Sequence, residues 1–171
     1  EKNDHGLPYN PFKSICMPRP IAWVSSLSVD GVPNLAPFSQ FTNLSYDPPM
    51  IVLSISDQPD RRYKDTVRNL NDTREFVINM ATYELRDQVE MTSQMVDPGV
   101  DEAKMAGLEM IPSRLVKPKR IARSPVAMEC RFHSMLTVPG RKGPHHLLVG
   151  AVVGVHIADE VIKDGKIDIA K

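Results

Sequence analysis

The stretch PRPIAWVSSLSVDGVPNLAPFSQF, residues 18–41, sets the fold class. Residues 21–27 are apolar and β-prone, Asp30-Gly31 inside DGVP supplies a tight turn, and 34–44 continues extended, so the segment reads as an antiparallel hairpin. A hairpin has no structural need for Ser25, Ser26, Asn34, Ala36 and Ser39 in such close order. Small residues let another body approach the main chain, and Pro37 interrupts the ladder and frees neighbouring peptide groups to face a ligand. The hairpin is therefore a candidate binding wall as well as a structural unit.

Outward from it the pattern is mostly strand. Prolines 48 and 49 forbid a helix before MIVLSIS (50–56), whose nearly continuous apolar character suits burial on both faces. EFVINM (75–80) is a further strand, and two long runs, 126–138 and 146–158, flank a hairpin loop at PGRKGPH. Six strands favour a barrel. Helices are fewer: KDTVRNLND opening near Asp65, TYELRDQVEMTSQMV with Leu85, Val89 and Thr92 along one face, and DEAKMAG stopping at Gly107. The Pro-rich segment 111–125 reads as a long connection over the outside. No linker or repeat divides the chain, so 1–171 is expected to be one domain.

Composition narrows the function. Twenty-one basic residues balance 21 acidic ones, so no general charge footprint points to nucleic acid or an anionic membrane. No apolar run is long enough for a bilayer span and no charged leader precedes an apolar stretch, which makes a soluble, cytoplasmic protein the expectation. The chain begins at Glu1 without Met and reads as a trimmed piece. Cys16 and Cys130 have no zinc or redox-pair spacing and are expected to be buried thiols.

A second candidate site lies in RRYKDT, residues 61–66. Lys64, with Arg61 and Arg62 beside it, precedes a helix start, where unpaired N–H groups and the positive end of the dipole favour an anion. Thr66 adds a hydroxyl donor; Asp65 is the expected cap, since a carboxylate aimed at a phosphate would repel it. These residues alone leave two readings open, a phosphate site and a solvated basic stretch opening a surface helix. Taken with the hairpin they suit a flavin, which has a phosphate tail and a flat ring whose N and O atoms need partners when buried. Trp23 can wall such a ring or belong to the core, and Ser25 and Ser26 can equally be ordinary edge-strand hydroxyls.

The ordered segments RPIAWVSSLSVDGVPNLAPFSQF, DPPMIVLSIS, KDTVRNL, EFVIN, SPVAMECRF and HHLLVGAVVGVHIADEVIKDGKID resemble the flavin reductase-like family, which includes flavoredoxins, over about residues 18–168. The resemblance implies a mainly β fold, a six-stranded Greek-key split β-barrel with peripheral helices, and a homodimer with FMN near the subunit interface. It puts Trp23, Val24 and Ser25 on a first flavin-facing strand, and Asn34, Leu35, Ala36, Pro37 and Ser39 on a second, against the ring. Ser54, Arg62, Lys64, Asp65 and Thr66 then fall around the phosphate. Where many relatives read Gly-Glu-Val this chain has Gly150-Ala151-Val152, so any task of that carboxylate is missing; relatives also usually continue past the point matching Lys171 with a segment that helps close the site.

The same resemblance sets a His of H-x-L-x-x-G beside flavin and nicotinamide, and His145 holds that place in HHLLVG. Strand neighbours face opposite ways, so one of His145 and His146 is expected to face the flavin, where an imidazole can orient a nicotinamide. The residues by themselves equally allow a polar loop end. His133 and His156 are expected to face solvent, and no metal site is expected, because strand neighbours diverge and no third ligand is near. The implied activity is an FMN-dependent oxidoreductase passing electrons from NADH or NADPH to an acceptor. With no Rossmann glycine motif, the nicotinamide would bind on the exposed ring face. The alternatives are a flavoredoxin-like carrier that exchanges electrons with a redox protein partner without using the nicotinamide directly, and a barrel that binds another planar ligand.

Overall fold

The Asp30-Gly31 turn forms because Gly31 adopts a φ of +81°, and the Ser28 hydroxyl accepts from the backbone N–H of Asp30 and Val32. It joins β1 (Ala22–Leu27) to β2 (Pro33–Phe38), paired from Ala22 opposite Phe38 to Leu27 opposite Pro33. The computed structural model describes residues 6–9, 11–60, 62–141 and 143–168. A short helix α1 (Phe12–Ile15) precedes the hairpin; β3 (Phe41–Tyr46), β4 (Pro49–Ser56), α2 (Asp65–Thr73) and β5 (Glu75–Met80) follow it. Next come α3 (Arg86–Met91), α4 (Glu102–Met105), the small hairpin β6 (Met110–Ile111) and β7 (Arg120–Ile121), and the long strands β8 (Val126–Val138) and β9 (His145–Ile157). A last small hairpin pairs β10 (Ile162–Lys163) with β11 (Lys166–Ile167).

The main sheet is antiparallel, with order β2-β1-β5-β8-β9-β4-β3. Its two edge strands, β2 and β3, are separated in the chain by Ser39 and Gln40 alone. At about 4.8 Å per strand spacing a flat sheet of this size would hold its edges roughly 29 Å apart. So short a link requires the sheet to curl until its edges meet. The edges do not pair with each other, so the barrel is split. This closure corrects the expected strand count: the single extended run expected over 34–44 is two strands, one on each edge, and the sheet has seven strands rather than six.

Inside the barrel Val24, Phe38, Phe41, Leu53, Phe76 and Leu148 pack together, and α2 closes one end with Val67 and Leu70. Fully burying such side chains stabilises by roughly 1.5–3 kcal/mol each. β4 alternates, with Ile51, Leu53 and Ile55 buried and Val52, Ser54 and Ser56 half-buried, so it is a one-sided barrel wall and not a strand buried on both faces. β1 is the strand covered on both sides: Ala22 and Val24 face the barrel interior, while Trp23 packs outside it against Leu35, Leu85, Ala103 and Ile121. The expected helix around residue 85 is a 3₁₀ turn, Tyr83–Leu85, followed by α3; Leu85 and Thr92 are buried and Val89 packs on the Trp23 cluster.

Three smaller expectations change. Cys130 is buried in the barrel core, where desolvation pushes its thiol far up, but Cys16 is exposed. The 111–125 connection is not merely external, since Val116, Pro118 and Ile121 are buried. It is tied down by Glu129, fully buried on β8, which accepts from the backbone N–H of Arg114, Leu115 and Val116 at 2.6–3.0 Å. His156 donates to the same carboxylate from Nε2 at 2.5 Å, so it turns inward instead of facing solvent, whereas His133 is exposed.

Gly150 shows how tightly the barrel is filled. A Cβ built there would lie 2.5 Å from Cζ of Phe76, whose ring is buried, and 3.3 Å from Cδ1 of Ile51. Gly150→Ala is expected to destabilise by about 1–3 kcal/mol through overpacking. A lower urea midpoint with an unchanged slope would show it; an unchanged midpoint would mean that the Phe76 ring moves freely.

Candidate functional site

One cleft opens between the β2 edge, the start of α2 and the segment after α3. Asn34, Ala36, Pro37 and Phe38 form one wall, Lys64, Asp65 and Thr66 a second, and Thr92–Val96 with Glu102 a third. Gln58, from the connection between β4 and α2, also lines it.

The β2 wall follows from its edge position. The N–H of Leu35 leaves the sheet and donates to Glu102 Oε2 at 3.0 Å, so residues 33, 35 and 37 turn their backbone groups outward. Pro33 and Pro37 occupy the two remaining outward positions described, where no N–H is needed. Pro37 therefore does not break the ladder, as its sequence context suggests: it lies opposite Trp23 at an outward-facing position, and the pairing with β1 continues to Phe38. The result is an edge with no free N–H at these outward positions. Burial pushes the Glu102 carboxyl up, with Asp65 and Asp101 adding to that and the Leu35 N–H opposing it.

The second wall is a helix start that breaks the usual capping rule. Lys64 is the N-cap of α2, in extended conformation, and makes no side-chain cap hydrogen bond. Ser, Thr, Asp or Asn normally fills that place and answers a first-turn N–H. Asp65, the expected cap, is instead the first helical residue, its carboxylate paired with Arg68. Thr66 is 1% exposed and its Oγ1 accepts from Asn34 Nδ2 at 3.0 Å. Asn34 also reaches Ser26 Oγ, which accepts from Asn69 Nδ2 at 3.1 Å, so a buried polar network fixes the first turn of α2 against the β1–β2 hairpin. The Lys64 ammonium lies 5.9 Å from the Phe38 ring centroid. The arrangement sets the Lys64 ammonium and the first-turn N–H groups at one end of a cleft that Asp65 and Glu102 also line, with Asn34, Ala36, Pro37 and Phe38 along one side.

Of the residues singled out in the sequence, this cleft brings together Asn34, Ala36, Pro37, Lys64, Asp65 and Thr66. The others lie elsewhere. Trp23 and Val24 are fully buried, and Trp23 Nε1 donates to Thr92 Oγ1 at 2.9 Å. Ser25 and Ser26 are buried on an interior strand and are not edge hydroxyls; Ser25 donates to the Lys119 carbonyl at 2.6 Å. The Leu35 side chain belongs to the Trp23 cluster. Ser39 is half-buried at the β2–β3 link and Ser54 half-buried on β4. Arg62 is exposed and held by Asp60 at 2.6 Å, a pairing that with the Arg62 N–H lowers the Asp60 carboxyl. Arg61 lies outside the described residues. His145 is exposed at the start of β9, while His146, on the opposite side, is 1% exposed and bonded to Asp57 and Thr137. Phe38, Gln58, the segment Thr92–Val96 and Glu102 are the lining residues that sequence reasoning missed. For Glu102 the available signal was a carboxylate in a short helix rich in small apolar residues.

Residues 14–167 match the model of the flavin reductase like domain. The chain belongs to this family. An uncharacterized protein of Aquifex aeolicus is 34% identical over 164 residues, 96% of this chain and 82% of the relative. The crystal structure of nitrilotriacetate monooxygenase component B from Bacillus cereus is 27% identical, with a TM-score of 0.87 over 98% of this chain and 85% of that one. Flavoredoxin of Desulfovibrio vulgaris, 17% identical, has a TM-score of 0.76 over 98% and 82% of the two chains and shares the fold. This flavin reductase-like chain is thus a split-barrel flavoprotein fold, mainly β. Among its described residues no helix is long and apolar enough to cross a membrane.

Proposed function

We propose that the chain is an FMN-dependent oxidoreductase of flavin reductase type, drawing electrons from NADH or NADPH and passing them to an acceptor. One observation carries the reading: a helix N-terminus capped by Lys64 rather than by a polar acceptor, at the end of a cleft walled by the small residues of β2. A local rule broken inside a cleft points to a ligand that supplies the missing acceptor. The donor set fits FMN: Lys64, the first-turn N–H groups and the Thr66 hydroxyl suit its phosphate, and the outward carbonyls of β2 suit the polar edge of its ring. Bound FMN would supply the two-electron chemistry; the chain holds it, orients it and keeps water from one face.

The residue supports a division of tasks. Lys64 and Thr66 hold the phosphate, Asn34 to Pro37 lie along the ring, and His145 orients the nicotinamide. His145 is exposed and outside the cleft walls, so this role needs a homodimer in which a second chain covers it. Exposed Val153, Val155 and Ile157 on β9, with Leu136 and Val138 on β8, offer an apolar face for that pairing.

Lys64→Ala tests the phosphate assignment. Loss of a charge-assisted contact is worth about 1.5–3 kcal/mol, so FMN affinity should fall roughly tenfold to a hundredfold while riboflavin, which lacks the phosphate, is nearly unaffected. Titration of both by fluorescence quenching decides it. Equal losses would move Lys64 away from the phosphate.

A further inference from the structure

We propose that His146 is a positioning residue for the phosphate end of the cleft, acting through Asp57 and Tyr63 on the connection that presents Lys64. The inference rests on the flavin reading above and extends it to a residue outside the cleft. The side chains of His146 and Asp57 are 1% and 6% exposed, and Nε2 of the imidazole lies 2.9 Å from Asp57 Oδ1. An ionised carboxylate only accepts, so Nε2 carries the hydrogen, and the Thr137 hydroxyl, 3.1 Å from Nδ1, answers the other nitrogen. The Tyr63 ring stands edge-on to the imidazole, 4.9 Å between centroids at 88°.

These contacts brace the connection at both ends. Asp57 is the first residue after β4, and its backbone N–H also reaches the Pro144 carbonyl beside β9. Tyr63 is the residue before Lys64, the N-cap of α2. Between them the Gln58 N–H donates to the Arg62 carbonyl at 2.9 Å, and Gln58 lines the cleft. One imidazole on β9 therefore ties the β8–β9 hairpin to the entry and the exit of the segment that delivers the lysine. Stability alone does not call for this choice, because an apolar pair of similar size fills a barrel end as well or better than a buried polar one. A satisfied polar contact instead fixes one geometry, which a binding subsite needs.

The test combines two independent measurements on His146→Leu and His146→Gln. In H146L, hydrogen exchange at the amides of Asp57 and Gln58 should speed up by about tenfold or more, reflecting local opening without global unfolding. FMN affinity should fall about tenfold while riboflavin changes less than about threefold, because the loss acts through a phosphate contact worth roughly that much. H146Q retains an N–H for Asp57 and an acceptor for Thr137, and should restore both readouts. In the Lys64→Ala background, H146L should add nothing to the FMN-to-riboflavin ratio, since both changes act on one contact. Unchanged exchange at Asp57 and Gln58, equal losses for the two flavins, or additivity with Lys64→Ala would each overturn the proposal. If H146L does not fold, Tyr63→Ala, which removes an exposed ring, carries the same comparison. Wild-type protein that binds neither flavin overturns the flavin reading itself, an outcome seen before any variant is compared.

Discussion

Glu129→Ala is expected to lower the unfolding free energy by about 3–5 kcal/mol, the range for removing one side of a buried, fully bonded charge site. The carboxylate is wholly buried and accepts from three backbone N–H groups of the 111–125 connection and from His156. Alanine leaves those donors inside without an acceptor. Glu129→Gln keeps one carbonyl oxygen and should cost less, roughly 1–3 kcal/mol for the donors it turns a second N–H against. Urea unfolding at neutral pH reads both. Burial by itself would raise this carboxyl, but the hydrogen bonds from His156, Arg114 and Leu115 outweigh it and hold the group below the ordinary glutamate value. A carboxylate depressed in the folded state gives stability that is fully present above its unfolded pKa, about 4.3, and is lost as pH falls through the lower folded value. Wild-type protein should therefore lose stability more steeply than Glu129→Gln below about pH 4.3. Parallel curves for the two would mean that the site is not ionised in the native state.

His145→Ala should slow anaerobic bleaching of bound FMN by NADH or NADPH about tenfold to a thousandfold, the usual cost of losing a group that positions a reactant. FMN affinity should change little, because His145 does not line the cleft proposed for the phosphate. The contrast with its neighbour is direct: His146 points inward and its loss should appear in affinity, whereas His145 points outward and its loss should appear in rate. Stopped-flow measurement at saturating FMN separates the two. Rapid bleaching that the substitution leaves untouched would mean that backbone and ring contacts alone seat the nicotinamide. Wild-type protein that dithionite reduces but neither nucleotide bleaches would replace the reductase reading with that of an electron carrier.

Much of this architecture is written locally. The strands at 75–80 and 126–138 coincide with β5 and β8, the Asp30-Gly31 turn forms where its residues demand it, and α2 begins at Asp65. These features depend on β-propensity, turn chemistry and the spacing of Val67 and Leu70, all contained within a few residues. The family, too, could be recognised from the order of its segments, and residues 14–167 match its model. Of the candidate site, Asn34, Ala36, Pro37, Lys64, Asp65 and Thr66 meet in one cleft.

What the chain could not show by itself depends on partners distant in sequence. Residues 34–44 carry no turn signal as strong as Asp30-Gly31, and only the curling of the sheet decides that Ser39 and Gln40 pass from one edge to the other. Trp23 lies under helices some 60–80 residues later, so its place in a core rather than against a ligand was set by packing and not by its strand. Glu102 is legible as a helix residue, yet its task at Leu35 exists only because β2 ends up as an edge with prolines on either side. His145 and His146 are identical in type and adjacent, and alternation says that they part without saying which way. The pairing register of β9 with β4 turns His146 toward Asp57 and leaves His145 outside, because one residue of register exchanges the two faces of a strand.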